Sequence, residues 1–248
     1  MTDADEAWPE RIDPLTAPPG VVAHHLKKYE FARGYVRGLV IDVACGVGYG
    51  TDFLAPSTVR IVGVEIAHDA IAVARERYRR GNAWFVQGDA EHLPLAIAVA
   101  DAVTCFEGIE HFGDPEAHLD EVMRVLKPAG VYLVSTPHPD ANPHGDENPY
   151  HLHEFEPERF EAMLRDRFAQ VTMLGQRRVQ TAAHRTAQRF DILGLRRSKL
   201  LRPVTKWVSR SALKTAPVED ATVDDFVIEP FEKTALEYVG VCRGPVSR

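Results

Sequence analysis

The chain has 248 residues, 45% of them apolar and 26% charged, with a formal net charge of −7. That length holds one large α/β domain or two small ones, and the acidic balance speaks against a general nucleic-acid binder. No apolar run approaches the length that spans a bilayer, so no transmembrane segment is expected.

Residues 1–20 are polar, acidic and proline-rich in their first part and lack the basic start and apolar centre of a signal peptide, so a flexible tail is expected there. Cys45, Cys105 and Cys242 all lie inside apolar, strand-like runs. That placement fits reduced, buried thiols in a cytoplasmic protein better than a disulfide framework.

Val21 to Val36 has the spacing of a helix, with Leu26, Tyr29, Phe31 and Ala32 available for one face. Leu39 to Val43 is an apolar first strand. It breaks into a loop with Gly46, Gly48 and Gly50 at alternate positions, and Tyr49 to Leu54 forms a short helix stopped by Pro56. Val59 to Glu65 is the second strand, Asp69 to Arg80 a helix and Trp84 to Gln87 the third strand. Asp101 to Phe106 is the fourth. Asp114-Pro115 caps a helix running to Leu126, and Val131 to Ser135 is the fifth strand. Thr136 to Pro149 is a loop rich in Pro, His and Asn. Glu158 to Asp166 is a helix, Ala169 to Leu174 a sixth strand and Ala235 to Cys242 the last. Between these two strands, residues 175–230 interrupt the pattern as a lid or insertion. Strand and helix alternate five times, which predicts a doubly wound, mainly parallel sheet of seven strands with helices on both faces. Residues 21–248 then form a single domain.

In such a sheet, ligands bind beyond the carboxyl ends of the strands, where strand order reverses. Asp42 stands just before the glycine loop. Glu65 ends the second strand, 19 positions beyond Gly46. A carboxylate there is placed to accept hydrogen bonds from the two hydroxyls of a ribose. Asp89-Ala90 follows the third strand, where a short acid can accept from an exocyclic amine such as that of adenine. Taken singly, Glu65 could be a carboxylate at a helix approach and Asp89 a turn residue; their joint placement argues for an adenosine site. Glu107 to His111 and Ser135 to His138 end the next two strands and would face whatever reacts. The spacing Gly46-x-Gly48-x-Gly50 departs from the G-x-G-x-x-G of nicotinamide dinucleotide sites. Asp42 is awkward beside a pyrophosphate but suits the amine of an amino acid, which favours S-adenosylmethionine.

With these stations in order, the chain resembles the class I S-adenosylmethionine-dependent methyltransferases. Asp42-Val-Ala-Cys-Gly-Val-Gly-Tyr-Gly is similar to their first motif, Val64-Glu65-Ile66 to the second and Gly88-Asp89-Ala90-Glu91-His92-Leu93-Pro94 to the third. Cys105 to Phe112 and Leu119 to Gly130 resemble the fourth and fifth. The resemblance implies a Rossmann-like α/β fold, methyl transfer and S-adenosyl-L-methionine as cofactor. It implies cofactor contacts from Tyr29, Asp42, Ala44, Gly46, Glu65, Ile66, Asp89, Ala90 and Glu107. Ala44 stands where the family usually has glycine, and its methyl group is tolerable there if φ is negative. Asn148 to Phe155 resembles a segment of subgroups that methylate sugars, quinones and natural products, which implies a small-molecule acceptor and a role in natural product biosynthesis.

A hydroxyl acceptor must lose its proton, and histidine suits that task near neutral pH. His111, after the fourth strand, and His153, in the loop after the fifth, are the expected catalytic residues; His151 and His138 are nearby alternatives. His138, His144, His151 and His153 with Asp140, Asp146 and Glu154 match no tight ligand spacing, so no metal is expected. Arg185 to Lys214 interleaves basic and apolar residues. It reads as a lid or a homodimer contact, or as the partner of an anionic, nucleotide-linked substrate. N- or C-methylation of a small metabolite, or a non-catalytic S-adenosylmethionine-binding scaffold, is the alternative reading.

Overall fold

In a computed structural model of the chain, the described residues are 11–139, 150–179, 220–231 and 235–246. The basic stretch 185–214 and the acids and histidine at 140, 144 and 146 lie outside them.

The first five strands are β1 (Leu39–Val43), β2 (Arg60–Glu65), β3 (Ala83–Gln87), β4 (Ala100–Phe106) and β5 (Leu126–Pro137). Three more follow, β6 (Phe168–Arg178), β7 (Phe226–Pro230) and β8 (Glu237–Pro245). They form one sheet in the order β3-β2-β1-β4-β5-β8-β6-β7. The first five pair in parallel, and β8, β6 and β7 close the sheet antiparallel. The chain winds outward from β1 to β3 and returns to β4 on the other side of β1. The reversal of strand order therefore falls between β1 and β4, where Asp42 is paired in register with Thr104.

The α/β, Rossmann-like, mainly parallel sheet expected from the alternation is present, with one strand more than the expected seven. The eighth, Phe226–Pro230, runs antiparallel to β6 at the sheet edge. It falls inside the stretch 175–230 that the sequence pattern assigned to an insertion, because five residues at an edge carry too little periodicity to announce themselves.

The helices are α1 (Pro19–Ala32), α2 (Tyr49–Leu54), α3 (His68–Arg77), α4 (Pro115–Val125) and α5 (Pro157–Arg165). Strand residues alternate between faces, and the core divides accordingly. Ile41, Val43, Val103 and Cys105 pack with Leu119, Val122, Phe160 and Leu164 on one face. Val40, Ala102 and Leu133 pack with Tyr29, Ala32 and Leu54 on the other. Asp114 caps α4 as its sequence predicts, accepting from the amides of Glu116 and Ala117.

Residues 11–18 differ from the flexible tail expected of them. Arg11 pairs with Asp69 at 2.6 Å and Asp13 with Arg77 at 2.7 Å, which ties this stretch to both ends of α3. Among the described residues, no helix is long and apolar enough to cross a membrane.

Candidate functional site

The chain leaves β1 by a turn in which three residues have positive φ. Ala44 is at 55°, Gly46 at 54° and Gly48 at 86°. Glycine adopts these angles freely, and Gly48 becomes the N-cap of α2. Ala44 does not have the negative φ that its methyl group was expected to require. A left-handed alanine costs about 1–2 kcal/mol, and the turn imposes it. Gly108 makes room: a methyl placed there would come within 2.9 Å of the Ala44 methyl. Gly50 lies flat against the ring of Tyr29, where a Cβ would sit 2.0 Å from a ring carbon.

Asp42 lies beneath this turn, fully buried. Its carboxylate accepts from Thr51 Oγ1 at 2.6 Å and Thr104 Oγ1 at 2.7 Å, and the Tyr29 hydroxyl lies at 3.5 Å. Burial raises its pKa to about 6, and those three hydroxyls partly offset the rise. Asp42 is absent from the cavity wall, unlike the amine-facing carboxylate the sequence implied. It fastens the start of α2 to β4 under the glycine turn.

A cavity of about 820 Å³ opens over the carboxyl ends of β1, β2, β3 and β4. That lies within the ~300–1,000 Å³ range of small-molecule sites. Of the sequence-predicted residues, Tyr29, Ala44, Gly46, Glu65, Ile66, Asp89, Ala90, Glu107 and His111 line it, while Asp42 and His153 do not. Glu65 Oε2 accepts from the Gly46 amide at 3.0 Å, and Oε1 from the Ala67 amide at 3.0 Å. Each oxygen keeps acceptor capacity beyond that bond. Asp89 is anchored through Oδ1, which accepts from the Glu91 amide at 2.9 Å. Ile66, 61% exposed, offers an apolar surface to the same cavity. This set of two carboxylates, an apolar side chain and a tight backbone turn fits a nucleoside carrying an amino-acid tail.

Glu110, His111 and His151 line the same cavity. Glu110 and His111 sit on a single 3₁₀ turn, Ile109–His111. The segment after residue 149 docks on that turn: Leu152 and His153 amides donate to the Glu110 carbonyl at 3.0 and 3.1 Å. His111 Nδ1 lies 2.9 Å from the Tyr150 carbonyl. A carbonyl only accepts, so Nδ1 carries the proton and Nε2 is the basic nitrogen. His151 meets His111 edge-on with ring centres 5.0 Å apart. His153 turns away and stacks on Phe155, with its Nε2 buried and unpartnered. His138 is buried against the ring of Tyr238. Glu110 is 1% exposed, and neither carboxylate oxygen makes a hydrogen bond of good geometry. Burial first, and Glu107 second, push its pKa well above the usual carboxylate range.

Behind Glu107 lies an ionic cluster that the sequence reading missed. Lys28 of α1, 0% exposed, bonds to Glu237 of β8 and lies 3.4 Å from Glu107. His24 Nε2 lies 3.2 Å from the other oxygen of Glu237. Burial pulls the Lys28 ammonium down, but Glu107 and Glu237 outweigh it and hold its pKa above the ordinary value. Burial raises Glu107 despite Lys28, and Ser135 Oγ donates to it at 2.6 Å. His24 is lowered to about 3 by burial and then by Lys28, so it is neutral. Lys28 sits among Lys27 and Glu30, which read as a solvated helix face, and Glu237 lies 209 positions away. No local signal joins them.

Known proteins agree with this geometry. A family described as methyltransferase domain matches residues 41–134. A probable S-adenosylmethionine-dependent methyltransferase of Mycolicibacterium smegmatis is 34% identical over 167 residues, covering 62% of this chain and 64% of that protein. One of Mycobacterium tuberculosis is 34% identical over 140 residues, covering 55% of this chain and 50% of that protein. The chain thus spans about half to under two thirds of the length of these relatives. A chain from the Haloferax volcanii complex between the Trm112 methyltransferase activator and a putative methyltransferase has a TM-score of 0.62 at 19% identity. That likeness covers 92% of this chain and 93% of the other, and it is one of fold. Residues 41–134 thus match a methyltransferase domain, and the glycine turn, the acids at successive strand ends and the strand order are similar to those of S-adenosylmethionine-dependent methyltransferases.

Proposed function

We propose that this protein transfers the methyl group of S-adenosylmethionine to a hydroxyl oxygen of a small molecule, sugar-like or of natural-product type. One observation supports the reading: a single cavity is lined by Ala44 and Gly46 of the glycine turn, by Glu65 and Asp89, and by His111 and His151. In this assignment Glu65 accepts from the ribose hydroxyls, Asp89 from the adenine amine, and Ile66 and Ala90 pack on the base. Gly46, Ala44, Tyr29 and Glu107 surround the methionine part. Asp42 acts one step back, through Thr51 and Thr104, by holding the turn.

The bound cofactor supplies an activated methyl group. The protein's part is alignment of the acceptor and removal of its proton. We assign the proton to His111, whose Tyr150 bond fixes the ring and presents Nε2 as the base. The buried, unpaired state of Cys45, Cys105 and Cys242 supports a reducing, cytoplasmic setting.

Calorimetry with S-adenosylhomocysteine tests the donor end. Binding is expected, weakened about 10- to 100-fold in Asp89→Ala by loss of a charge-assisted hydrogen bond. Binding of a nicotinamide dinucleotide in its place would refute the reading. His111→Gln is expected to keep that binding and lose methyl transfer to a panel of sugar and phenolic hydroxyls.

A further inference from the structure

We propose that Glu110, His111 and His151 form a binding site for a divalent transition-metal ion, of the Zn²⁺ or Fe²⁺ kind, in the wall of the cavity. Each residue offers one ligand atom, and these atoms lie within 4.8 Å of one another. Among the described residues this is the only such group. No ligand spacing in the sequence announces it: His111 and His151 are 40 positions apart, and only the docking of residues 150–153 on the 3₁₀ turn joins them.

Three features separate the group from a chance cluster. Glu110 is buried, lines the cavity and leaves both carboxylate oxygens without a hydrogen bond of good geometry. Buried carboxylates are ordinarily paired or ligated, because an unpaired one is costly. His111 donates Nδ1–H to the Tyr150 carbonyl, the outer-shell bond that fixes the tautomer and aims the other nitrogen of a metal-binding histidine. All three side chains line one cavity, so a bound ion would have protein on one side and open space on the other. Two imidazoles and one carboxylate form the donor set of open metal sites. Magnesium, which prefers oxygen ligands, fits poorly.

The role rests on the methyltransferase reading above: the open side would take an acceptor oxygen and make its proton more acidic. In the loaded protein the lone pair of His111 Nε2 is on the metal. With the ion bound, the acceptor's proton would pass to water, so the role of His111 as base proposed above belongs to the metal-free chain.

The test is a titration of the chelator-treated full chain with Co²⁺, read by visible absorption, alongside calorimetry with S-adenosylhomocysteine. One equivalent of Co²⁺ is expected to bind, displaceable by Zn²⁺. Glu110→Gln and His151→Ala should each weaken binding by at least about 10-fold, the loss that follows even an outer-shell change, with S-adenosylhomocysteine binding retained as proof of folding. Absence of stoichiometric binding, or binding in the variants as tight as in the unaltered chain, overturns the assignment. Should Co²⁺ binding depend on these residues while S-adenosylhomocysteine fails to bind, the metal site stands and the methyltransferase reading falls.

Discussion

The carboxylate of Glu65 holds the amide of Gly46 at 3.0 Å, joining the end of β2 to the crown of the glycine turn. Its second oxygen holds the Ala67 amide where α3 begins. Glu65 therefore shapes the turn as well as facing the cavity. Glu65→Ala is expected to lower S-adenosylhomocysteine affinity by at least 100-fold, as two backbone donors and any ribose hydroxyls lose their acceptor. Glu65→Gln keeps one acceptor oxygen and should lose less. Equal affinities for the two variants in calorimetry would remove Glu65 from the site.

Ala44, at a φ of 55°, carries backbone strain that glycine would not. Ala44→Gly should be neutral or raise stability by up to about 1 kcal/mol, because relieved strain exceeds the added chain entropy. Gly108→Ala should lower it, since the new methyl meets the Ala44 methyl at 2.9 Å. The double change Ala44→Gly with Gly108→Ala should recover part of that loss. Urea unfolding measures all three, and an additive double variant would refute the contact.

Lys28→Met would leave Glu107 and Glu237 without their buried cation. Breaking such a group by removing one partner costs about 3–5 kcal/mol. Adding Glu237→Gln to Lys28→Met should restore part of the stability, because one fewer charge remains buried. A thermal melt that shows no loss for Lys28→Met would mean that the cluster is solvated in solution.

Two buried groups shift stability with pH in opposite directions. Burial raises Asp42 from 3.8 to about 6. Between about pH 4 and 6 the folded chain thus holds a proton that the unfolded chain lacks, and stability rises as pH falls. His118 is fully buried, with Nδ1 on the Ala90 carbonyl at 3.0 Å and Nε2 on the Tyr132 hydroxyl at 2.9 Å. Burial lowers it from 6.5 to about 4. Between those values the unfolded chain takes the proton, and stability falls as pH falls. Asp42→Asn removes the first effect and leaves the second. Relative to the unaltered protein, the variant should lose on the order of 3 kcal/mol between pH 7 and pH 4. Parallel stability–pH curves for the two proteins would show that Asp42 is not perturbed.

The alternation of strand and helix was legible because each element is long enough to show its period. The acids at positions 65 and 89 were legible because topology assigns a place to whatever ends a parallel strand. Ala44 was misjudged in its φ, since a sequence shows a residue type and not the angle its turn demands. Asp42 was placed in the cavity when its partners are Thr51 and Thr104, two ordinary residues of a helix and a strand. His153 and His151 are two positions apart, and only the path of the docked segment decides which one meets His111. Lys28 and Glu237 carry no pattern, because their pairing exists only after the sheet has closed.

That last pairing sets an order of events in the cell. Glu237 emerges 209 residues after Lys28, roughly 10–40 s at ordinary elongation rates. Through that interval β5 lacks its β8 neighbour, β6 has nothing to join it to the sheet, and Glu107 stands without the partner that shares its lysine. The glycine turn and its acids can form while the ribosome is still at work. The ionic cluster behind Glu107 is finished only when β8 slides between β5 and β6, so a ribosome-bound nascent chain lacking that strand would have the glycine turn and its acids but not the buried partner of Lys28.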